Sequence, residues 1–162
     1  MNIANWTDAD RRSVVASAAI TMGSVVKLED DGAGSREATM LDDADAALLV
    51  SGGYGVAFKV AARADQVASS SGVPTRLGDR TVTIATGDQM LEMRKGSIIE
   101  YLPAELHDSL NPGQSGTLPA VGDALEIKDS LWCEVGFAGA ITTVVAHVYD
   151  LRDGNVLVEL DV

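Results

Sequence analysis

Three kinds of side chain are scarce in this 162-residue chain: it has one cysteine, two histidines and few bases, with 12 Lys and Arg against 24 Asp and Glu. The single cysteine, Cys133, excludes an intramolecular disulfide and any CxxC zinc cluster. It follows Leu131 and Trp132 and reads as a buried thiol acting as a small hydrophobe. The two histidines leave little for acid–base catalysis. His107 stands beside Asp108 and Ser109, but three consecutive residues cannot form the hydrogen-bonded chain of a catalytic triad, and His147 lies in a strand pattern that suits a structural role. Aromatic residues make up 4% of the chain, too few for a broad sugar-stacking platform. The shortage of bases gives a net charge of −12, which repels polyanions, so neither nucleic acid nor an anionic membrane is an expected partner. No run approaches the ~20 apolar residues of a membrane span, and no secretory signal is legible, so a cytoplasmic site of synthesis is expected.

What is present is 46% hydrophobic residues and 16 glycines, arranged in short alternating runs. That is the pattern of one tightly turned all-β domain with few short helical turns, a small barrel or sandwich. Residues 20–28 read as a strand with Ile20, Met22, Val26 and Leu28 on one face. Further strands are expected at 80–86, at 91–93, at 98–101 after the break at Gly96, and around Leu125 and Ile127, which flank Glu126. The clearest element is a C-terminal hairpin over residues 143–160, turned by Asp153-Gly154, a pair suited to the positive φ angles of a tight turn. Both faces of residues 144–151 are largely apolar, which places that strand centrally or under a partner chain. Short helical turns are expected at 42–50 and at 102–106, where Pro103 occupies a first helical position. Residues 107–120, with Asn111-Pro112-Gly113, read as a long loop.

Residues 1–19 read as an N-terminal arm preceding a single β-rich domain at 20–162. Trp6, Arg11 and Arg12 are the arm's candidate contact residues, because a tryptophan in a free tail leaves its apolar area wet. Charge is divided unevenly: residues 1–99 hold 13 acids and 10 bases, and residues 100–162 hold 11 acids and 2 bases. Arg76, Arg80, Arg94 and Lys95 form a second basic group. It reads either as ion pairing with Asp79, Asp88 and Glu92 or as a contact patch for an acidic partner.

Motifs for chemistry fail one by one. Gly53-Tyr54-Gly55 needs a glycine at position 58 to complete a dinucleotide fingerprint, and Phe58 stands there. Glu29-Asp30-Asp31-Gly32 and Asp42-Asp43-Ala44-Asp45 lack the spacing and terminal glutamate of a calcium loop. The expectation is therefore a non-enzyme with no cofactor and no metal.

The succession Ala19-Ile20-Thr21-Met22-Gly23-Ser24-Val25-Val26, Gly53-Tyr54-Gly55-Val56-Ala57-Phe58-Lys59, Pro74-Thr75-Arg76-Leu77-Gly78, Arg94-Lys95-Gly96-Ser97-Ile98-Ile99-Glu100-Tyr101 and Val121-Gly122-Asp123-Ala124-Leu125 resembles the capsid decoration (cement, head-stabilisation) proteins of tailed bacteriophages. The resemblance implies a small β-barrel or β-tulip-like domain made in the bacterial host cytoplasm and carried on the outer surface of the virion. It implies the major capsid protein as partner and a homo-oligomer, a trimer in preference to a dimer, with a terminal arm reaching across capsomers. The alternative expectation is a carbohydrate- or host-surface-binding β module of a phage particle. Tyr54, Tyr101, Tyr149 and Trp132, however, sit in strand patterns that favour the core.

Overall fold

The computed structural model describes residues 2–5, 11–30, 32–33, 36–41, 54–58 and 83–161. They form an all-β architecture of two parts packed together, a closed five-stranded barrel and an open six-stranded sheet. In chain order the strands are β1 (Asn2–Asn5), β2 (Arg11–Ala16), β3 (Ile20–Thr21), β4 (Val25–Asp30), β5 (Arg36–Met40), β6 (Tyr54–Phe58) and β7 (Thr83–Ile84). There follow β8 (Gln89–Met93), β9 (Ile98–Tyr101), β10 (Ala124–Lys128), β11 (Leu131–Glu134), β12 (Ile141–Arg152) and β13 (Asn155–Leu160).

The barrel closes in the order β2-β5-β4-β6-β8, antiparallel throughout except for β2 against β5. Five strands leave a narrow lumen, and the sequence fills it with small side chains: Ala16, Ala38 and Ala57 pack with Val14, Val26 and Met90. The ribbon β3–β7 adds Ile20 and Ile84 to the same cluster. Alternation along β4 and β6 then directs Val25, Tyr54 and Val56 outward, into a second and larger core shared with the six-stranded sheet. That sheet, ordered β1-β9-β13-β12-β10-β11, contributes Ile99, Tyr101, Val148, Val156, Val158 and Trp132 to it. Full burial of a large apolar side chain is worth about 1.5–3 kcal/mol, so this shared layer is what holds the two parts as one body.

Hydrogen bonds cross the same seam. The turn between β10 and β11 puts Asp129 and Ser130 at φ 51° and 64°. Ser130 thereby accepts from the Val25 N–H through its carbonyl and donates its hydroxyl to the Leu41 carbonyl. The Tyr101 hydroxyl donates to the Gly23 carbonyl at 3.3 Å.

The C-terminal hairpin forms as its sequence predicts, with Asp153 at φ 52°, Gly154 at φ 82° and β12 in the middle of the sheet. Pro103 begins a single 3₁₀ turn (Pro103–Glu105), in which Leu102 N–H donates to Glu105 Oε2 at 2.8 Å. The expected loop is more structured than its composition suggests. Two further 3₁₀ turns, Asp108–Leu110 and Pro112–Gln114, fold back so that Leu106 and Leu110 join the larger core. Gly116 sits so tightly there that a β-carbon would lie 2.2 Å from the Asp108 carbonyl oxygen.

Other expectations are corrected. Residues 20–28 are not one strand: a turn with Gly23 at φ 96° separates β3 from β4, and Val25 and Val26 serve different cores. Two stretches of the expected arm are strands of the domain itself. Asn2–Asn5 pair with β9, and Arg11–Ala16 form one stave of the barrel. Glu92 and Glu126, which alternate with apolar neighbours in the sequence, are both buried. The helical turn expected at 42–50 and the strand residues 80–82 lie outside the described residues.

Candidate functional site

The sequence-predicted contact residues divide into three groups. Trp6, Arg76 and Arg80 lie outside the described residues. Arg11 and Arg12 open strand β2, where their register partners on β8 are Met93 and Glu92. Arg94 and Lys95 continue directly from β8 into the turn before β9. The antiparallel pairing of β2 with β8 thus brings two basic pairs, more than eighty residues apart in sequence, to one end of the barrel wall.

Their environments differ. Lys95 is exposed, whereas Arg94 is 11% exposed, with its Nε 4.0 Å from Glu92 Oε1. Glu92 has no exposure at all. It shares a face with Ala57, its register partner, and therefore points into the lumen. A buried carboxylate is costly without a cation, and Arg94 supplies one. Gly55 makes the space: a β-carbon there would lie 2.4 Å from Glu92 Cγ and 2.7 Å from the Met93 carbonyl oxygen. Of the ion pairs weighed in the sequence, the one with Glu92 is formed, so Arg94 looks inward while Lys95 remains available to a partner.

Two apolar side chains of β12 are exposed. Tyr149 is 49% and Leu151 40% exposed. The sequence pattern favoured the core for Tyr149. A bulge between Val148 and Asp150 shifts the register there and turns it out. Tyr54, Tyr101 and Trp132 are buried as the pattern predicts. Burial also pushes the Tyr54 and Tyr101 phenols well above their ordinary range, which keeps both neutral. One outward tyrosine does not make a stacking platform.

The histidines are both engaged. His107 caps the 3₁₀ turn that follows it: the Ser109 N–H donates to Nδ1 at 3.2 Å, and the ring meets Phe137 edge-on at 4.4 Å. The lone pair that would have to activate the Ser109 hydroxyl, 3.2 Å from the same nitrogen, is shared with that backbone donor. His147 lies between Asp161, 2.9 Å from Nδ1, and Glu159, 3.4 Å from Nε2, and ties β12 to the chain's last described residues. Cys133 is buried. Among the described residues, no three His, Cys, Asp or Glu side chains are grouped to hold a metal ion, and no helix is long and apolar enough to cross a membrane.

A feature the sequence reading did not single out is an open cleft of about 310 Å³ between residues 117–125 and the end of β11. Its walls come from two segments, the loop and the β10–β11 hairpin, with Leu110 and Val135 25 residues apart in sequence, so no local motif announces it. No protein-family model matches the chain, and no curated protein or solved structure matches it either.

Proposed function

We propose that this chain is a structural virion protein of the decoration type, binding the outer surface of a major capsid protein lattice and bridging neighbouring capsomers. The observation that carries the reading is the register of β2 on β8, which brings Arg11 to the end of the barrel where Lys95 stands exposed, in a chain of net charge −12. A basic end on an acidic body gives the molecule a polarity: one end suits an acidic protein surface, while the bulk is repelled by packaged DNA. The resemblance of the Gly-punctuated strand sequence to decoration proteins supports the same assignment.

The mechanism is linkage. Subunits that bind only the assembled, expanded lattice stabilise it in proportion to their occupancy, and so raise its resistance to heat and internal pressure. The exposed Tyr149 and Leu151 serve self-association into the proposed oligomer, for which a trimer is favoured. No catalytic step and no cofactor are part of this reading.

The test is co-sedimentation with expanded heads assembled from the cognate major capsid protein. The expected result is saturable pelleting, with a higher head-disruption temperature, and loss of both on Arg11→Glu with Lys95→Glu. Because Arg11–Ala16 are a barrel stave, charge reversal is the informative change here and truncation is not. Failure to pellet at any concentration would overturn the reading.

A further inference from the structure

The cleft beside β11 has an apolar floor and an acidic rim. Leu110 and Leu125 are fully or almost fully buried beneath it, Leu118 and Val135 flank it, and Asp123 and Glu134 stand exposed at its edge. No lining residue carries a positive charge. Among the described residues, the Glu134 carboxylate has no hydrogen bond or ion pair.

Both walls are fixed before anything binds. Asp123 Oδ2 accepts from the Ala120 N–H at 2.8 Å, and Asp123 and Gly122 exchange backbone hydrogen bonds with Val148 at 2.8 Å each. The Thr117 N–H donates to the Ser109 carbonyl at 3.0 Å. On the other side the Phe137 N–H donates to the Glu134 carbonyl at 3.3 Å, and the Gly136 N–H to Glu126 Oε2 at 3.0 Å. A preformed site avoids much of the ordering cost of binding.

We infer that this cleft is a docking site for an arginine or lysine side chain presented by a partner protein. The chemistry follows from the lining. A phosphate or carboxylate ligand is repelled by Asp123 and Glu134, and a purely apolar one desolvates the rim without compensation. An arginine or lysine offers a methylene stem for Leu118 and Val135 and a cationic head for the carboxylates, lying along the cleft with its charge toward water. The volume, at the low end of the roughly 300–1,000 Å³ of ligand pockets, matches one side chain with its flanking backbone rather than a nucleotide or an oligosaccharide. A free polyamine fits less well, because its charges recur along the stem and one of them would lie on the apolar floor. The inference is independent of the capsid proposal, since it fixes the chemistry of the contact and not the assembly in which it is used.

The test is an NMR titration of the full chain with the capped tripeptide acetyl-Gly-Arg-Gly-amide, against the same peptide carrying citrulline, which keeps the shape and removes the charge. The expected result is saturable shifts confined to amides around Thr117, Asp123 and Val135, with citrulline binding at least about threefold more weakly. Glu134→Gln should weaken the arginine peptide by about two- to fivefold, the range of an exposed ion pair. Glu134 is exposed, so this variant folds, as unchanged shifts in the barrel will verify. Equal affinity for the two peptides, shifts elsewhere with the cleft silent, no effect of Glu134→Gln, or tighter binding of spermidine than of the peptide would each overturn the inference.

Discussion

Gly55 has no side chain because Glu92 occupies the place where one would be. Its missing β-carbon would fall 2.4 Å from Glu92 Cγ, and the Met93 carbonyl oxygen, 2.7 Å away, closes the other side. Replacing Gly by Ala narrows the unfolded ensemble and gains about 0.4–1 kcal/mol where the fold can accept it. Here overpacking, at about 1–3 kcal/mol, wins. Gly55→Ala is therefore expected to lower the urea midpoint. Adding Glu92→Ser should recover only part of the loss, since the backbone clash remains. A stabilised Gly55→Ala protein would contradict the packing of the lumen.

Ser130 is the second pressure point, because it serves a turn and a seam together. Ser130→Ala leaves the buried Leu41 carbonyl without its hydroxyl donor, at a cost of about 1–3 kcal/mol. Ser130→Gly loses the same bond but relieves the left-handed backbone at φ 64°, which costs a non-glycine residue about 1–2 kcal/mol. The expected order of stability is wild type, then Gly, then Ala, measured by denaturant unfolding. Alanine above glycine would show that the turn conformation is not the limiting factor.

Alkali should weaken the fold in a defined window. Tyr54 and Tyr101 hold their protons in the folded state well above the ordinary phenol value near 10, while the unfolded chain loses them there. Above that value the unfolded state binds fewer protons, so stability falls as pH rises. The slope is up to about 1.4 kcal/mol per pH unit for each tyrosine. Tyr101→Phe should remove roughly half of it. A flat stability profile between about pH 9 and pH 11 would refute the account.

Tyr149 and Leu151 make the opposite kind of prediction. Both side chains are exposed, so changing them to serine should move folding stability by no more than about 1 kcal/mol. Self-association measured by sedimentation velocity should weaken at least about tenfold. Undiminished association would place the oligomer contact elsewhere.

Much of this structure is legible in the sequence where a residue has one dominant preference. Asp153-Gly154 marks the terminal hairpin, Gly96 the break between β8 and β9, and Pro103 the start of a 3₁₀ turn. The misreadings have one physical source. Strict alternation assigns each strand a wet face, but the barrel and the sheet cover each other, so Val25 and Val26 are both buried and Glu92 lies inside the lumen. The Asp129-Ser130 turn carries no glycine to announce its positive φ angles, and the bulge at Tyr149 reverses a face through pairing that no local pattern records. The candidate site was legible in part. Arg94 and Lys95 are adjacent in sequence, but only β2–β8 pairing brings Arg11 and Arg12 to them, and the cleft with Asp123 and Glu134 depends on a loop whose folding rests on Gly116.

The hairpin β10–β11 has a further consequence. A two-residue turn makes Trp132 and Glu134 the residues whose backbone groups point away from β10. Their carbonyls already accept from the His107 and Phe137 N–H groups. Among the described residues, these two carbonyls of the β11 margin are thereby closed to an incoming strand. Occupied carbonyls on an edge strand leave an incoming strand fewer partners, so the β11 side of the sheet is guarded against the strand-on-strand growth that leads to fibres.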